Sequence, residues 1–318
     1  MSTFARVIRR KVGDKSKKNY RDMQDRAPRV AIFGNIYQSE KSSCAEFLLH
    51  KLKAEGFEPH IEAQFSEFLQ REARLDVSDV PTFTHIEELD ATFAVSMGGD
   101  GTFLRTAAEV RDSEVPILGV NTGHMGFLAD VASAEISEAI ALLKAGNYKV
   151  DERSLIKVDS DAPLGGYPYA LNEVALLKYD NSSLISVATF VGGELLANYV
   201  ADGLIICTPT GSTGYSISVG GPIIVPASHS LCISAVAPHS LSVRPVIVTD
   251  DVEIELHVKS RSQKFLIAID GRSEVLDEGV VVRLRRADHT IRVLKVCRPQ
   301  FFDTLRDKMQ WGADQRLR

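Results

Sequence analysis

The chain changes its hydrophobic period near Val150, and that change limits what it can fold into. Before it, short apolar runs alternate with stretches at helical spacing. Val30 to Phe33 reads as a strand ending at Gly34. Glu40 to Glu55 puts Ala45, Leu48, Leu49 and Leu52 on one helical face, with Gly56 as the expected C-terminal cap. Pro59 to Ala63 reads as a strand and Ser66 to Leu75 as a weaker helix. Thr92 to Met97 and Pro116 to Val120 read as strands, and Ala134 to Lys144 as a helix. Strands alternating with helices imply a parallel sheet with crossover helices. After Val150 nearly every segment is strand-like: Ile156 to Val158, Tyr169 to Leu177, Ile185 to Val191, Leu204 to Cys207 and Leu231 to Ala235. Val246 to Val248, Val252 to Val258, Phe265 to Ile269, Val280 to Leu284 and Ile291 to Val296 continue the series. Several alternate polar and apolar residues, as in Val252-Glu253-Ile254-Glu255-Leu256, which implies antiparallel sheets with one solvated face.

The expected fold is an α/β N-terminal domain with a parallel sheet and helices, plus a mostly antiparallel, layered β C-terminal domain. The length of 318 residues is ample for both. The α/β domain is expected over 29–148 and the β domain over 149–297. The helix-like stretch Phe301 to Gln310, within 298–318, is expected to complete the first domain. Residues 1–28 are rich in Arg and Lys, from Arg6 to Arg26, and are expected to form a disordered extension; a transit peptide or an arm touching an anionic surface is the alternative. The net charge of −5 argues against a nucleic-acid binder. No run of ~18 apolar residues occurs, so no membrane span is expected. Cys44, Cys207, Cys232 and Cys297 lack metal-binding spacing and suggest free thiols in the cytoplasm.

Two stretches carry chemistry. Gly98-Gly99-Asp100-Gly101-Thr102 lies between a strand and a helix-like run, Phe103 to Val110. Glycines there let the backbone approach a ligand and aim N–H groups at anionic oxygens. The carboxylate of Asp100 would repel a phosphate, so it suits a metal ion or a proton taken from a hydroxyl. Capping of the following helix is the plainer alternative. The second stretch runs from Asp202 through Thr208-Pro209-Thr210-Gly211-Ser212-Thr213-Gly214-Tyr215-Ser216-Ile217-Ser218 to Pro222, a buried strand feeding a loop dense in hydroxyls. Upstream, Asn172-Glu173 sits in an apolar run, where buried polar groups need partners. No Gly-x-x-x-x-Gly-Lys-Ser/Thr or Gly-x-Gly-x-x-Gly loop is present.

This trio, in this order, resembles the bacterial NAD kinase family over about residues 29–300. Gly-Gly-Asp-Gly alone is shared with diacylglycerol, sphingosine and phosphofructo kinases; the 208–216 loop with its upstream Asn-Glu is more restrictive. The resemblance implies a Rossmann-like first domain and transfer of the γ-phosphoryl of ATP to the 2′-hydroxyl of the adenosine ribose of NAD. It implies Asp100 as general base and Gly98, Gly99, Gly101 and Thr102 around the ATP phosphates. It implies NAD contacts from Asp100, Gly101, Arg105, Asn172, Glu173, Asp202, Thr213, Gly214, Tyr215, Ser216, Ile217 and Ser218. Magnesium, or another divalent ion, is expected to arrive with ATP and not through protein metal ligands. A homo-oligomer, tetramer or dimer, in which a neighbour completes the pocket is also implied. Many members carry alanine where Gly214 stands, and some carry arginine where Val200 stands. His239 and Arg272 are left without a role. A lipid kinase and a dinucleotide-sensing protein without activity are the competing readings.

Overall fold

The structure, a computed structural model, describes residues 27–36, 42–123, 126–180, 183–296 and 301–310. The expectations for residues 1–26, Glu40, Lys41, Cys297, 298–300 and 311–318 lie outside the described residues. The chain divides into two compact units, Met1–Asp151 with Arg292–Arg318, and Glu152–Ile291.

The first unit is built on a parallel sheet. Its elements are β1 (Arg29–Gly34), α1 (Ser42–Ala54), β2 (Glu58–Glu62), α2 (Ala63–Arg71), β3 (Thr82–Phe83) and β4 (Phe93–Gly98). They continue with α3 (Asp100–Val110), β5 (Ile117–Asn121), β6 (Val131–Ala132) and α4 (Ile136–Lys144). The strands run in the order β5-β4-β1-β2-β3, with β6 beside β5, and all these pairs are parallel. Every residue of β4 and β5 is buried. A sheet covered on both faces needs apolar residues on both, so these strands read as continuous runs. Leu48, Leu49 and Leu52 of α1 and Ile136, Ala139, Ile140 and Leu143 of α4 share one core with Val30, Ile32, Val95 and Leu118. Helix α3 buries Phe103, Thr106, Ala107 and Val110.

Gly56 closes α1 at φ 85°. Its N–H bonds the Lys53 carbonyl and the Phe57 N–H reaches back to Leu52, a Schellman pair that satisfies the last carbonyls. Helix α2 begins and ends earlier than its spacing predicts. Strand β2 runs directly into it at Ala63, and Arg74 turns left-handed at φ 54°.

The second unit follows from β7 (Lys149–Ser160), within which the chain leaves the first. Its strands are β8 (Tyr169–Ala170), β9 (Glu173–Lys178), β10 (Ile185–Val191), β11 (Glu194–Ala201) and β12 (Gly203–Cys207). A short helix α5 (Tyr215–Ser218) precedes β13 (Ser230–Val236), β14 (Val246–Thr249), β15 (Ile254–Lys259), β16 (Lys264–Ile269), β17 (Arg272–Asp277) and β18 (Val281–Lys295). Helix α6 (Phe301–Met309) belongs to the first unit. One sheet of the second unit runs β11-β10-β15-β18, with β7 on β18 and β8 on β7; the other runs β14-β13-β12-β9-β16-β17. Val187, Leu256 and Leu284 of the first sheet and Val174, Ile206, Ile233 and Ile267 of the second fill one core between them. On the opposite face of β12, Ile205 and Cys207 pack with Ile224 and Cys232, which is why Leu204 to Cys207 shows no alternation.

The strands differ from expectation in three places. The run Tyr169 to Leu177 breaks at Leu171-Asn172, because β8 and β9 join different sheets. Strand β11 went unread, although Gly192-Gly193, both at positive φ, turns β10 into it. The runs at 280–284 and 291–296 are one strand, β18, whose middle carries polar residues on either side of the buried Ala287 without ending the strand.

Candidate functional site

In the first unit, the strand order 3-2-1-4-5 reverses between β1 and β4. Ligands of open parallel sheets bind beyond the strand carboxyl ends at such a switch point. The Gly98–Thr102 turn sits there, since β4 ends at Gly98 and α3 starts at Asp100. The N–H groups of Thr102 and Phe103 both bond the Gly99 carbonyl, so those of Asp100 and Gly101 precede the first helical bonds and are directed out of the helix N-terminus.

The glycines of this turn differ in purpose. A β-carbon at Gly98 would lie 2.2 Å from Thr102 Oγ1, so the fold itself requires glycine. A β-carbon at Gly99 or Gly101 would meet no atom within 4 Å, and neither residue needs positive φ. The fold gives no reason for glycine at these two positions; a ligand that must approach the backbone does.

Asp100 accepts three consecutive backbone N–H groups: Phe127 on Oδ2 at 2.9 Å, and Leu128 and Ala129 on Oδ1 at 3.0 and 3.1 Å. The capping alternative is thereby corrected, since no side chain caps the N-terminus of α3 and the carboxylate instead holds the 126–129 loop. Gly126 makes this possible, because a β-carbon there would stand 1.9 Å from Asp100 Oδ1. The loop is fixed at its far end by Asp130, paired with Lys295 at 2.5 Å. An ionised carboxylate offers about four acceptor positions. Three are filled here, and the remaining one lies on Oδ2, in a side chain 29% exposed. Arg105, one turn along α3, donates to the Gly34 carbonyl at the end of β1 and lies 3.8 Å from Glu62. Burial pushes the Glu62 carboxyl above its usual range despite Arg105.

In the second unit, Asn172 and Glu173 lie at the break between β8 and β9. Asp270, in the two-residue turn between β16 and β17, accepts the N–H groups of Leu171, Asn172 and Glu173 at 2.7, 2.8 and 3.1 Å. Burial pushes its carboxyl up against the pull of these bonds. The neighbouring Thr208 donates to the Leu171 carbonyl and accepts from the Gly211 N–H at 3.1 Å. Gly211 is locked against Asn172, whose carbonyl oxygen would be 2.1 Å from an added β-carbon. Thr208 and the anchoring bonds of Asp270 were not read from the sequence; the turn Asp270-Gly271 was the available signal.

Glu173 is the electrostatic centre of this half. Burial, then the nearby Asp270 charge, push its carboxyl up to about 7, while the Tyr215 backbone N–H pulls the other way. Its Oε2 and the Asn172 Oδ1 are buried without a hydrogen-bond partner. Buried polar atoms in that condition are costly unless a ligand or water satisfies them. Gly214 faces the same two side chains: a β-carbon there would be 3.0 Å from Glu173 Oε2 and 3.3 Å from Asn172 Nδ2.

The hydroxyls of the loop are turned inward more than its composition suggests. Ser212 bonds the Pro209 carbonyl and accepts the Ile224 N–H, Thr213 bonds the Thr210 carbonyl, and Ser218 bonds the Tyr215 carbonyl. Ser216 lies buried near Ser234. Tyr215 is exposed. Asp202 stands apart. It precedes β12, pairs with Lys178 at 2.6 Å, and lies at the opposite end of the strand from Cys207, which is in register with Glu173. Five residues at about 3.3 Å each put it roughly 17 Å from that register. Arg272 donates to the carbonyls of Ile269 and Tyr169, and the His239 N–H bonds Val200. Among the described residues no group of three or more His, Cys, Asp or Glu could hold a metal ion, and no helix is long and apolar enough to cross a membrane.

A parallel-sheet unit with an open glycine turn at its switch point, joined to an antiparallel unit with unsatisfied polar groups beside a tight loop, defines a nucleotide-binding protein. Residues 30–148 match the family model of the ATP-NAD kinase N-terminal domain and residues 171–296 that of its C-terminal domain. The NAD kinase of Bacteroides fragilis is 50% identical over 290 residues, covering 91% of this chain and 100% of that protein. That of Porphyromonas gingivalis is 42% identical over 286 residues, covering 90% and 98%. The crystal structure of yeast NADH kinase complexed with NADH superposes with a TM-score of 0.82 at 20% identity, covering 93% and 91%. That of an NAD kinase from Archaeoglobus fulgidus in complex with ATP gives 0.67 at 24%, covering 89% and 98%; both likenesses concern the fold. The chain belongs to the NAD kinase family.

Proposed function

We propose that this chain is an ATP-dependent NAD kinase, transferring the γ-phosphoryl of ATP to the 2′-hydroxyl of the adenosine ribose of NAD to give NADP. The observation that carries the donor half is the open space at Gly99 and Gly101 beside the outward N–H groups of α3. Phosphate oxygens accept from such groups, and a β-carbon at either position would intrude on them. Thr102 belongs to the same turn, and Gly98 shapes it. Magnesium arrives with ATP as part of the substrate and neutralises its phosphates. The remaining acceptor position of Asp100 Oδ2 takes the proton of the ribose hydroxyl as that oxygen attacks phosphorus. Its other contacts, to the 126–129 loop, keep the carboxylate aimed.

The dinucleotide contacts fall to Asn172, Glu173 and the stretch Thr213 to Ser218, with Arg105 at the phosphates. Unpartnered Asn172 Oδ1 and Glu173 Oε2 support this, since both accept from donors such as an adenine amine or ribose hydroxyls. Residues 29–148 with 298–318 form the ATP-binding domain in this reading, and 149–297 the dinucleotide domain. Asp202, distant from Glu173 along β12, serves the pocket of a neighbouring copy in a cytoplasmic homo-oligomer. Mixing inactive Asp100→Asn with inactive Asp202→Ala protein tests the last point. Restored turnover supports shared pockets, and no restoration excludes them. The main test is NADP formation from NAD, ATP and magnesium, wild type beside Asp100→Asn. If the wild type binds NAD and makes no NADP, a sensor replaces the kinase.

A further inference from the structure

The glycine turn presents a carboxylate to a polyanion, so a cation should stand nearby, and the C-terminal helix brings one. Lys308 of α6 places Nζ 3.8 Å from Asp100 Oδ2. That is too long for a hydrogen bond. The ammonium is held instead 4.6 Å above the Phe127 ring, an attraction that steadies a cation without using its N–H donors. Phe127 is the residue whose N–H bonds Asp100 Oδ2, and Phe301, at the start of α6, packs against its ring at a centroid distance of 6.1 Å. Helix, loop and carboxylate are thus tied through one side chain. Lys308 is 35% exposed, and among the described residues its ammonium has no hydrogen bond. Three donors on a flexible stem remain for an anionic ligand.

We propose that Lys308 binds the donor triphosphate, its ammonium contacting a terminal phosphoryl oxygen beside the Gly98–Thr102 turn. This rests on the reading of that turn as the ATP site. Before ATP binds, Lys308 offsets the charge of Asp100. Afterwards it lies between the carboxylate and the phosphate and screens their repulsion, which backbone N–H groups cannot do with full charge.

Steady-state kinetics of the full chain test this with three variants. Lys308→Met keeps an apolar stem on Phe127 and removes the charge, Lys308→Arg keeps the charge, and Gly99→Val fills the turn itself. Lys308→Met should raise the KM for ATP about 10-fold or more and leave the KM for NAD within about twofold, with Lys308→Arg recovering most of the loss. An unchanged KM for ATP in Lys308→Met, or a fall in kcat alone, overturns the proposal; the second result would mean that Lys308 acts only through Asp100. Gly99→Val separates this failure from that of the underlying reading. If Gly99→Val weakens ATP and Lys308→Met does not, the lysine alone is misassigned. If neither weakens it, the turn is not the donor site and both readings fall.

Discussion

Asp100 and Asp270 each accept three consecutive backbone N–H groups, one in each unit of the molecule, but with opposite consequences. Asp100 holds a loop while keeping one acceptor position of Oδ2 open beside a glycine turn and a lysine. Asp270 sits in a hairpin turn where desolvation raises its own carboxyl, and its charge acts on a second carboxyl, Glu173, which burial has already pushed up. One device therefore leaves a carboxylate available to a ligand in the first unit. In the second it fixes the backbone that presents other groups. The difference lies in what surrounds each aspartate, since both sit in Asp-Gly pairs.

Substitutions can break that comparison. Asp100→Asn should lower kcat by ~10²–10⁴-fold, the usual range for removing a general base, with the KM for NAD changed little. An equal loss in NAD binding would mean that Asp100 only holds its loop. Asp270→Asn should do the converse. It removes charged acceptors from three N–H groups, each such bond contributing roughly 1.5–3 kcal/mol, so the KM for NAD should rise ~10-fold or more while that for ATP holds. A parallel change in both constants would deny Asp270 a local role.

Glu173→Gln sharpens the electrostatic side. A carboxyl raised from 4.5 to about 7 favours folding below pH 4.5, where both states are protonated. That contribution is lost as pH rises through 7, because the unfolded chain releases the proton first. The variant cannot titrate there, so its melting temperature should gain on the wild type between pH 4.5 and 7 and hold the advantage above. Parallel melting curves across that range would show that Glu173 is not held neutral.

The smallest effect should come from Gly101→Ala. In the first turn of α3, with open space around its β-carbon, alanine should leave stability unchanged or raise it by up to about 1 kcal/mol. ATP binding should nevertheless weaken. A thermal shift assay combined with ATP titration separates the two; loss of stability would show that this glycine serves the fold.

Much of the fold was legible because its signals are local. Continuous apolar runs marked β1, β4 and β5, Gly56 marked the end of α1, and alternation marked β15. Strand β11 was missed although Gly192-Gly193 signalled its hairpin, because Leu195 and Leu196 break the alternation at an exposed edge. The division of β8 from β9 depends on which sheet each joins, which no local pattern records.

The sequence alone determined the two kinds of unit, the glycine turn after β4 and the residue types able to meet phosphate, ribose and base. Tertiary structure decided how those residues are used. Gly99 and Gly101 are open while Gly98 and Gly211 are filled, because only packing settles what a β-carbon would meet. Asp100 received its three N–H groups from residues 27 to 29 positions away, and Lys308 from more than 200. Hydrogen-bond and charge partners at such separations are set by where the chain returns in space, and spacing along the chain does not encode that.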